Sequence, residues 1–299
     1  MKIEKYAAVD IGSNAIRVLI SNVINNEKGN IFFSKNALVR VPIRLGQDTF
    51  TSGNISKKNI KKLLDAIEAF KLIIDLHNVV HFNVYGTSAI REASNQSHVV
   101  KLIKSKTGIE IEVIDGKKEA HLISSLDLFQ AINKESIFLY VDVGGGSSEF
   151  SIIQNGKRID EKSFKIGTVR ILNNLVSDLL WDEIKNWIID KTKNFDNLLM
   201  LGTGGNINKI HKITETKDGE PISLLAIKNL DKKMSSLSYN QRITDYKLNP
   251  DRADVILPAL KIYIKTMQWG RVHKIFVPKI GLADGMIQEL YKSKKNLNI

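Results

Sequence analysis

Ten residues, Val141–Phe150 (VDVGGGSSEF), constrain this chain more than any other stretch, because their outline occurs twice. Val9-Asp10-Ile11-Gly12 matches Val141-Asp142-Val143-Gly144, 132 residues apart. In each copy an apolar run ends in an acid two residues before a glycine, and a second apolar run follows directly. That is a strand, a tight turn and a strand. A unit that recurs once over such a distance points to a duplicated domain and not to a solenoid. The second turn carries Gly144, Gly145 and Gly146 in a row, more than a hairpin needs. Consecutive glycines leave backbone N–H groups uncovered and permit positive φ. With the hydroxyls of Ser147 and Ser148 they make a tip that can cradle an anion, most simply phosphate. The competing reading is an ordinary hairpin turn.

The remaining pattern fills in each half. After the first hairpin, Ile31 to Ile43 continues the strands. Ser56 to Leu76 repeats apolar residues at helical spacing. Val79 to Tyr85 reads as a strand ending in Gly86-Thr87-Ser88, with a helix from Ala89. Val99 to Lys106 reads as a helix, Ile109 to Ile114 as a strand, and a further helix runs from Lys117 through Leu122 to Ala131. In the second half, Lys162 to Ile166 is a strand, Gly167 opens a helix, and Trp181 to Phe195 is another. Leu198 to Leu201 is a strand that ends in a third glycine turn, Gly202–Gly205. Ile222 to Leu237 and Pro250 to Trp269 read as long helices, Val272 to Val277 as the last strand, and a final helix ends in the basic tail Lys292 to Lys295. The class is α/β, with two mixed sheets covered by helices.

Chemistry is sought where strands end in glycine turns. None of the turns has the G-x-G-x-x-G spacing of a dinucleotide fold or the spacing of a P-loop. If the halves face each other, the three turns line one interdomain cleft, with Gly12, Ser13, Asn14, Gly144–Ser148, Gly204 and Gly205 as phosphate-binding candidates. Asp10 and Asp142 stand beside these loops, where a carboxylate repels phosphate unless a cation intervenes. Mg²⁺ does so through one or two carboxylates, so the pair are candidate metal ligands, Glu119 being carried with them. The alternative is that each aspartate caps its own turn. Arg91, one helical turn past a strand end, can grip phosphate bidentately or pair with Glu92 or Glu119. Glu119 can deprotonate a water or simply complement a helix N-terminus.

The chain carries a net charge of +12 and no cysteine. The charge suits a polyanionic partner, although a Lys-, Asn- and Ile-rich composition also follows from codon bias. Few aromatics interleave with the lysines, which disfavours single-stranded nucleic acid. Thiolate metal sites and disulfides are excluded. Neither a signal region after Met1 nor an 18-residue apolar run is present, so a cytoplasmic protein without a membrane partner is expected.

Eight segments, in this order, carry a family resemblance: AAVDIGSNAIRVLI, GTSAIREASN, IDGKKEAHLI, VDVGGGSSEF, FKIGTVR, GTGGNINKI, RADVILPAL and GLADGM. They resemble the exopolyphosphatase/guanosine pentaphosphate phosphatase (Ppx/GppA) family of the actin-like ATPase superfamily, over nearly the full length. The resemblance implies two ribonuclease-H-like domains, residues 1–124 with 284–299 and residues 125–283, the last helix returning to the first domain. It implies Mg²⁺-dependent hydrolysis of the terminal phosphoryl of polyphosphate or of guanosine pentaphosphate, and is compatible with a homodimer. Glu119 matches the catalytic base, Asp142 the acid that positions water or metal, and Arg91 the arginine facing substrate phosphates. Ser13, Asn14 and Gly144–Ser148 match the two phosphate loops.

There are departures. Lys118 stands where the family commonly has a second acid, Ala283-Asp284 where it has Arg-Glu, and Asn206 where small residues or Thr are usual. The chain also stops before the C-terminal helical domain of long members. The favoured expectation is an exopolyphosphatase. The alternatives are a guanosine pentaphosphate phosphohydrolase, a catalytically lapsed nucleotide-binding module, and, least, a kinase of the same superfamily.

Overall fold

A computed structural model describes residues 1–124 and 136–296. The chain divides into two compact units, Met1–Leu126 with Leu282–Ile299, and Asp127–Gly281.

In the first unit, β1 (Lys2–Ile11), β2 (Ile16–Asn25) and β3 (Ile31–Val41) form an antiparallel meander. Two helices, α1 (Leu45–Ser52) and α2 (Lys57–Leu76), lead to β4 (His81–Gly86), which pairs parallel with β1. Then come α3 (Ser88–Arg91), α4 (Gln96–Thr107), β5 (Glu112–Val113) and α5 (Gly116–Ser124). The sheet order is β3-β2-β1-β4-β5. β1 shows why two layers form around it. Its odd residues Ala7, Val9 and Ile11 enter a core with Leu63, Ile67 and Phe70 of α2, since side chains alternate between faces of a strand. Its even residues face the other way, under the last helix, α13 (Leu282–Asn296), which also packs on α5.

The second unit repeats the plan. β6 (Ile137–Val143), β7 (Ser148–Gln154) and β8 (Lys157–Phe164) form the meander. α6 (Thr168–Leu172) and α7 (Asp178–Thr192) lead to β9 (Leu198–Thr203), parallel to β6. After α8 (Gly205–Ile213) come β10 (Ile222–Ser223), α9 (Leu224–Ser235), α10 (Tyr239–Tyr246), α11 (Pro250–Ala253), α12 (Ile256–Trp269) and β11 (Lys274–Phe276). The order β10-β11-β9-β6-β7-β8 is that of the first sheet with one strand added at the edge. The duplication read from two hairpins therefore extends to strand order and direction.

Several expected elements differ. Pro250–Trp269 is two helices, because Pro258 lacks an N–H and its ring would clash with the carbonyl of Asp254 if the helix ran on. Ile222-Ser223 is a short strand paired with Ile275 and Lys274, and Ser223 then caps α9 by accepting from Ala226 N–H at 3.1 Å. The helix expected from Lys117 to Ala131 is α5 as far as Ser124; the rest lies outside the described residues. α1 and α10 were not expected.

α13 lies against α5 backbone to backbone at Gly285. A Cβ there would sit 2.6 Å from the carbonyl carbon of Leu122 and closer still to its oxygen. Gly285→Ala must push helix from helix, and overpacking of this kind costs about 3 kcal/mol. Thermal denaturation should show a single large loss of stability, whereas Ala at the open position Gly281 should not lower it.

Candidate functional site

In the second unit the three-glycine turn is fixed from behind. The carbonyls of Gly144, Gly145 and Gly146 accept, in turn, from Thr168 N–H at 3.0 Å, Val169 N–H at 2.9 Å and Arg170 Nε at 2.7 Å. Gly144 N–H closes the turn on Ser147 carbonyl at 3.0 Å. Among the described residues, the N–H groups of Gly145, Gly146 and Ser147 donate to no acceptor, though Gly146 and Ser147 are buried. Buried N–H groups are almost always paired. A loop that orients its carbonyls one way and leaves its donors unmatched is prepared for an anion.

Beside it, the sheet register lines up Thr203, Asp142, Glu149 and Ser163 on one face across β9, β6, β7 and β8. Directly opposite residues lie about 5 Å apart, so two acids adjoin. Glu149 is 1% exposed, and its Oε1 accepts from Ser163 Oγ at 3.1 Å. Tyr140 and Tyr263 frame the row: the Tyr140 hydroxyl lies 2.5 Å from Thr203 Oγ1, and Tyr263 donates to the Thr203 carbonyl at 2.7 Å. Burial, and then the charge of Asp142, push both phenols well above their usual range. They stay neutral and hold the row in place. The third glycine turn comes in from β9. A Cβ on Gly204, which has φ +103°, would lie 2.9 Å from Asp142 Oδ1. Over Gly205, Arg252 donates to Asn206 Oδ1 at 3.1 Å, so Asn206 serves to seat an arginine.

The first unit carries the same row with other residues. Tyr85, Asp10, Arg17 and Arg40 align across β4, β1, β2 and β3. Where the second hairpin has Glu149, the first has Arg17, and its Nη1 donates to Asp10 Oδ2 at 2.7 Å. Burial raises the Asp10 carboxyl above its usual range, and Arg17 opposes that. The two hairpins thus part in charge: acid beside acid in one, acid beside arginines in the other.

Around the first loop, Gly46 N–H binds Ser13 carbonyl at 2.8 Å and Arg44 N–H binds Asn14 carbonyl at 3.1 Å, again from the start of a helix. Ser13 Oγ meets Ser88 Oγ at 2.8 Å, and Thr87 Oγ1 donates to Ile11 carbonyl at 3.3 Å, which fastens α3 to the loop. At the end of α3, Arg91 Nη1 donates to Ile114 carbonyl at 2.7 Å and lies 3.9 Å from Glu119 Oε2. Both side chains are largely enclosed. Glu119 sits in the first turn of α5, whose N–H of Lys118 is capped by Asp115 Oδ1 at 2.7 Å. Lys118 itself turns away, to Glu112 at 2.7 Å and over the Tyr85 ring. Among the described residues it makes no bond to Glu119. Ala283 is buried, and Asp284 pairs with Lys35 at 2.9 Å.

The structure therefore brings Ser13, Asn14, Arg91 and Glu119 together in one unit and Asp142, Gly144–Ser148, Gly204 and Gly205 in the other. Glu149, Arg17, Arg170 and Arg252 were missed. Of these, Glu149 and Arg17 had a signal: they occupy the same place in the two hairpins, 132 residues apart. For a metal, no cluster of three His, Cys, Asp or Glu side chains exists among the described residues. The adjacent acids Asp142 and Glu149 do fit Mg²⁺, which keeps waters and takes one or two carboxylates besides phosphate. Asp10 does not fit well, since Arg17 already balances it.

The profile of the Ppx/GppA phosphatase family matches residues 26–294. Among curated proteins, the chain is 30% identical to a bifunctional 3-dehydroquinate synthase/phosphatase of Fusobacterium nucleatum, covering 96% of this chain and 47% of that protein. It is 24% identical to a guanosine-5'-triphosphate,3'-diphosphate pyrophosphatase of Aliivibrio fischeri, over 95% of this chain and 60% of the other. With exopolyphosphatase 1 of Mycobacterium tuberculosis it shares 28% identity over 49% of this chain and 42% of the other. The chain thus spans about half the length of these relatives. In fold it resembles the crystal structure of an exopolyphosphatase from Cytophaga hutchinsonii, with TM-score 0.84, 23% identity and coverage of 97% and 98% of the two chains. The Ppx/GppA structure from Aquifex aeolicus gives TM-score 0.74 at 21% identity, over 98% and 99%.

Proposed function

Because the chain belongs to the Ppx/GppA phosphatase family, we propose that it is a Mg²⁺-dependent exopolyphosphatase that releases orthophosphate from the end of inorganic polyphosphate. The observation that carries this reading is the Gly144–Ser147 turn, with the carbonyls of Gly144–Gly146 tied to residues 168–170 and three N–H donors unmatched among the described residues. Donors fixed in advance stabilise charge on a transferring phosphoryl group without reorganisation. Arg91 neutralises phosphate oxygens. Glu119 takes a proton from water, the water oxygen attacks the terminal phosphorus, and the bridging P–O bond breaks, leaving the shortened chain with the oxygen. Asp142 and Glu149 would hold Mg²⁺, which when bound offsets the charge of the phosphates. The arginine row, Arg17 and Arg40, favours a substrate with several negative charges. A cytoplasmic location belongs to the same proposal.

Guanosine pentaphosphate is the second reading, favoured by the match to the Aliivibrio fischeri pyrophosphatase along 95% of this chain. The test is the specificity constant for orthophosphate release from long polyphosphate and from guanosine pentaphosphate, measured side by side. Polyphosphate is expected to win. Preference for the nucleotide reverses the two readings, and release from neither, with nucleotide still bound, leaves a lapsed binding module. Chelation should stop release and Mg²⁺ restore it. Glu149→Gln is expected to raise the Mg²⁺ requirement about tenfold or more, the scale on which metal sites respond to a lost support. An unchanged Mg²⁺ titration would remove Glu149 from the metal site.

A further inference from the structure

At the opposite end of β1 from the first glycine turn, the first unit holds a cavity of about 310 Å³. Small-molecule sites begin near this size. Lys2, Glu4 and Tyr6 share the face of β1 that carries Asp10, since they are even-numbered on one strand. A strand rises about 3.3 Å per residue, so Tyr6 lies about 13 Å from Asp10 and Lys2 about 26 Å. The cavity is therefore separate from the glycine turn and its arginines.

Its lining has two chemistries. One side is aromatic: Tyr6 lies 5.4 Å from His81 and 5.8 Å from Tyr291 of α13, centroid to centroid, with the rings tilted to one another. The other is cationic. Lys2 is matched by Glu4 at 2.8 Å, whereas Lys294 and Lys295 form no ion pair among the described residues. Asn25, opposite Lys2 in the sheet, also lines the cavity, and its Oδ1 is buried with no hydrogen-bond partner among the described residues. A buried acceptor left unmatched costs free energy, and it is satisfied by a ligand that brings an N–H.

A bare anion would use the lysines and leave the rings and Asn25 idle. An apolar molecule would use the rings alone. We propose that this cavity binds a nucleoside monophosphate, with the base against the His81 and Tyr291 rings and donating to Asn25 Oδ1, and the phosphate on Lys294 and Lys295. Aromatic stacking and lysine contacts to phosphate are ordinary means of nucleotide recognition. The site lies outside the hydrolytic residues assigned above and does not depend on them.

Calorimetry on the full chain with AMP and GMP tests this, because neither has an anhydride to be hydrolysed. One nucleotide per chain is expected, at affinity in the range below about 1 mM. The double variant Lys294→Ala/Lys295→Ala, at exposed or half-exposed positions, should weaken it about tenfold or more while leaving phosphate release and thermal stability unchanged. Asn25→Leu should weaken it as well. Absence of binding, binding untouched by the lysine variant, or inorganic phosphate binding as tightly as the nucleotide would each overturn the proposal.

Discussion

Gly167→Ala is expected to abolish phosphate release while most of the second unit's secondary structure survives. Gly167 has no special backbone angle to defend. What it lacks is room: a Cβ would lie 2.5 Å from Gly146 N and closer still to Gly145 O. The obstruction is backbone on backbone, so no side chain can swing away to relieve it. Overpacking costs about 1–3 kcal/mol where side chains can adjust, and the upper end applies here. The loop can escape only by giving up the bonds from Thr168, Val169 and Arg170 to its three carbonyls. Those bonds set the direction of the unmatched N–H groups. A displacement of about 1 Å at a reacting group costs on the order of a hundredfold in rate, so release should fall by at least that. Circular dichroism and a melting curve separate the loop's collapse from global unfolding. Near wild-type release would show that the turn is not held by this contact.

What the sequence made legible follows from range. A glycine turn between apolar runs is local, so both hairpins, their turns and the duplication were readable. Lys57–Leu76 carries its helical period and its cap, Ser56, within one window. α10 buries no residue, so it leaves no apolar period to find, and α1 starts at a left-handed Arg44 without a side-chain cap. The site divides in the same way. Asp142, Glu119 and Arg91 stood in recognisable segments. Glu149 and Arg17 stood at matching places in the repeat, but that they face Asp142 and Asp10 needed the sheet register, and Arg252 needed the approach of α11 to Gly205. Such pairings arise from sheets and helix packing, and spacing along one strand does not display them. The charge contrast between the two hairpins is the clearest case, since the repeat made them look alike until cross-strand partners were known.

Glu119→Gln should reduce the turnover number by about a hundredfold to ten-thousandfold, the usual contribution of a positioned general base, with little change in KM or thermal stability. The substitution keeps the side chain's size and leaves an oxygen that can still meet Arg91, now 3.9 Å from the carboxylate. It removes only the capacity to accept a proton and hold a full negative charge. The rival account makes Glu119 a partner of the α5 N-terminus and of Arg91. A charge at a helix start contributes about 0.3–1 kcal/mol, and a single ion pair as loose as 3.9 Å about as little. On that account the variant would melt a few degrees lower and still turn over at nearly the wild-type rate. The two accounts differ by orders of magnitude in turnover and by a few degrees in melting temperature, so a single preparation of the variant decides between them. Arg91→Lys refines the result. If Arg91 grips phosphate with its planar fork, Lys should raise KM and leave the Glu119-dependent step in place. If it serves only to hold Ile114 carbonyl and the start of α5, the loss should appear in stability.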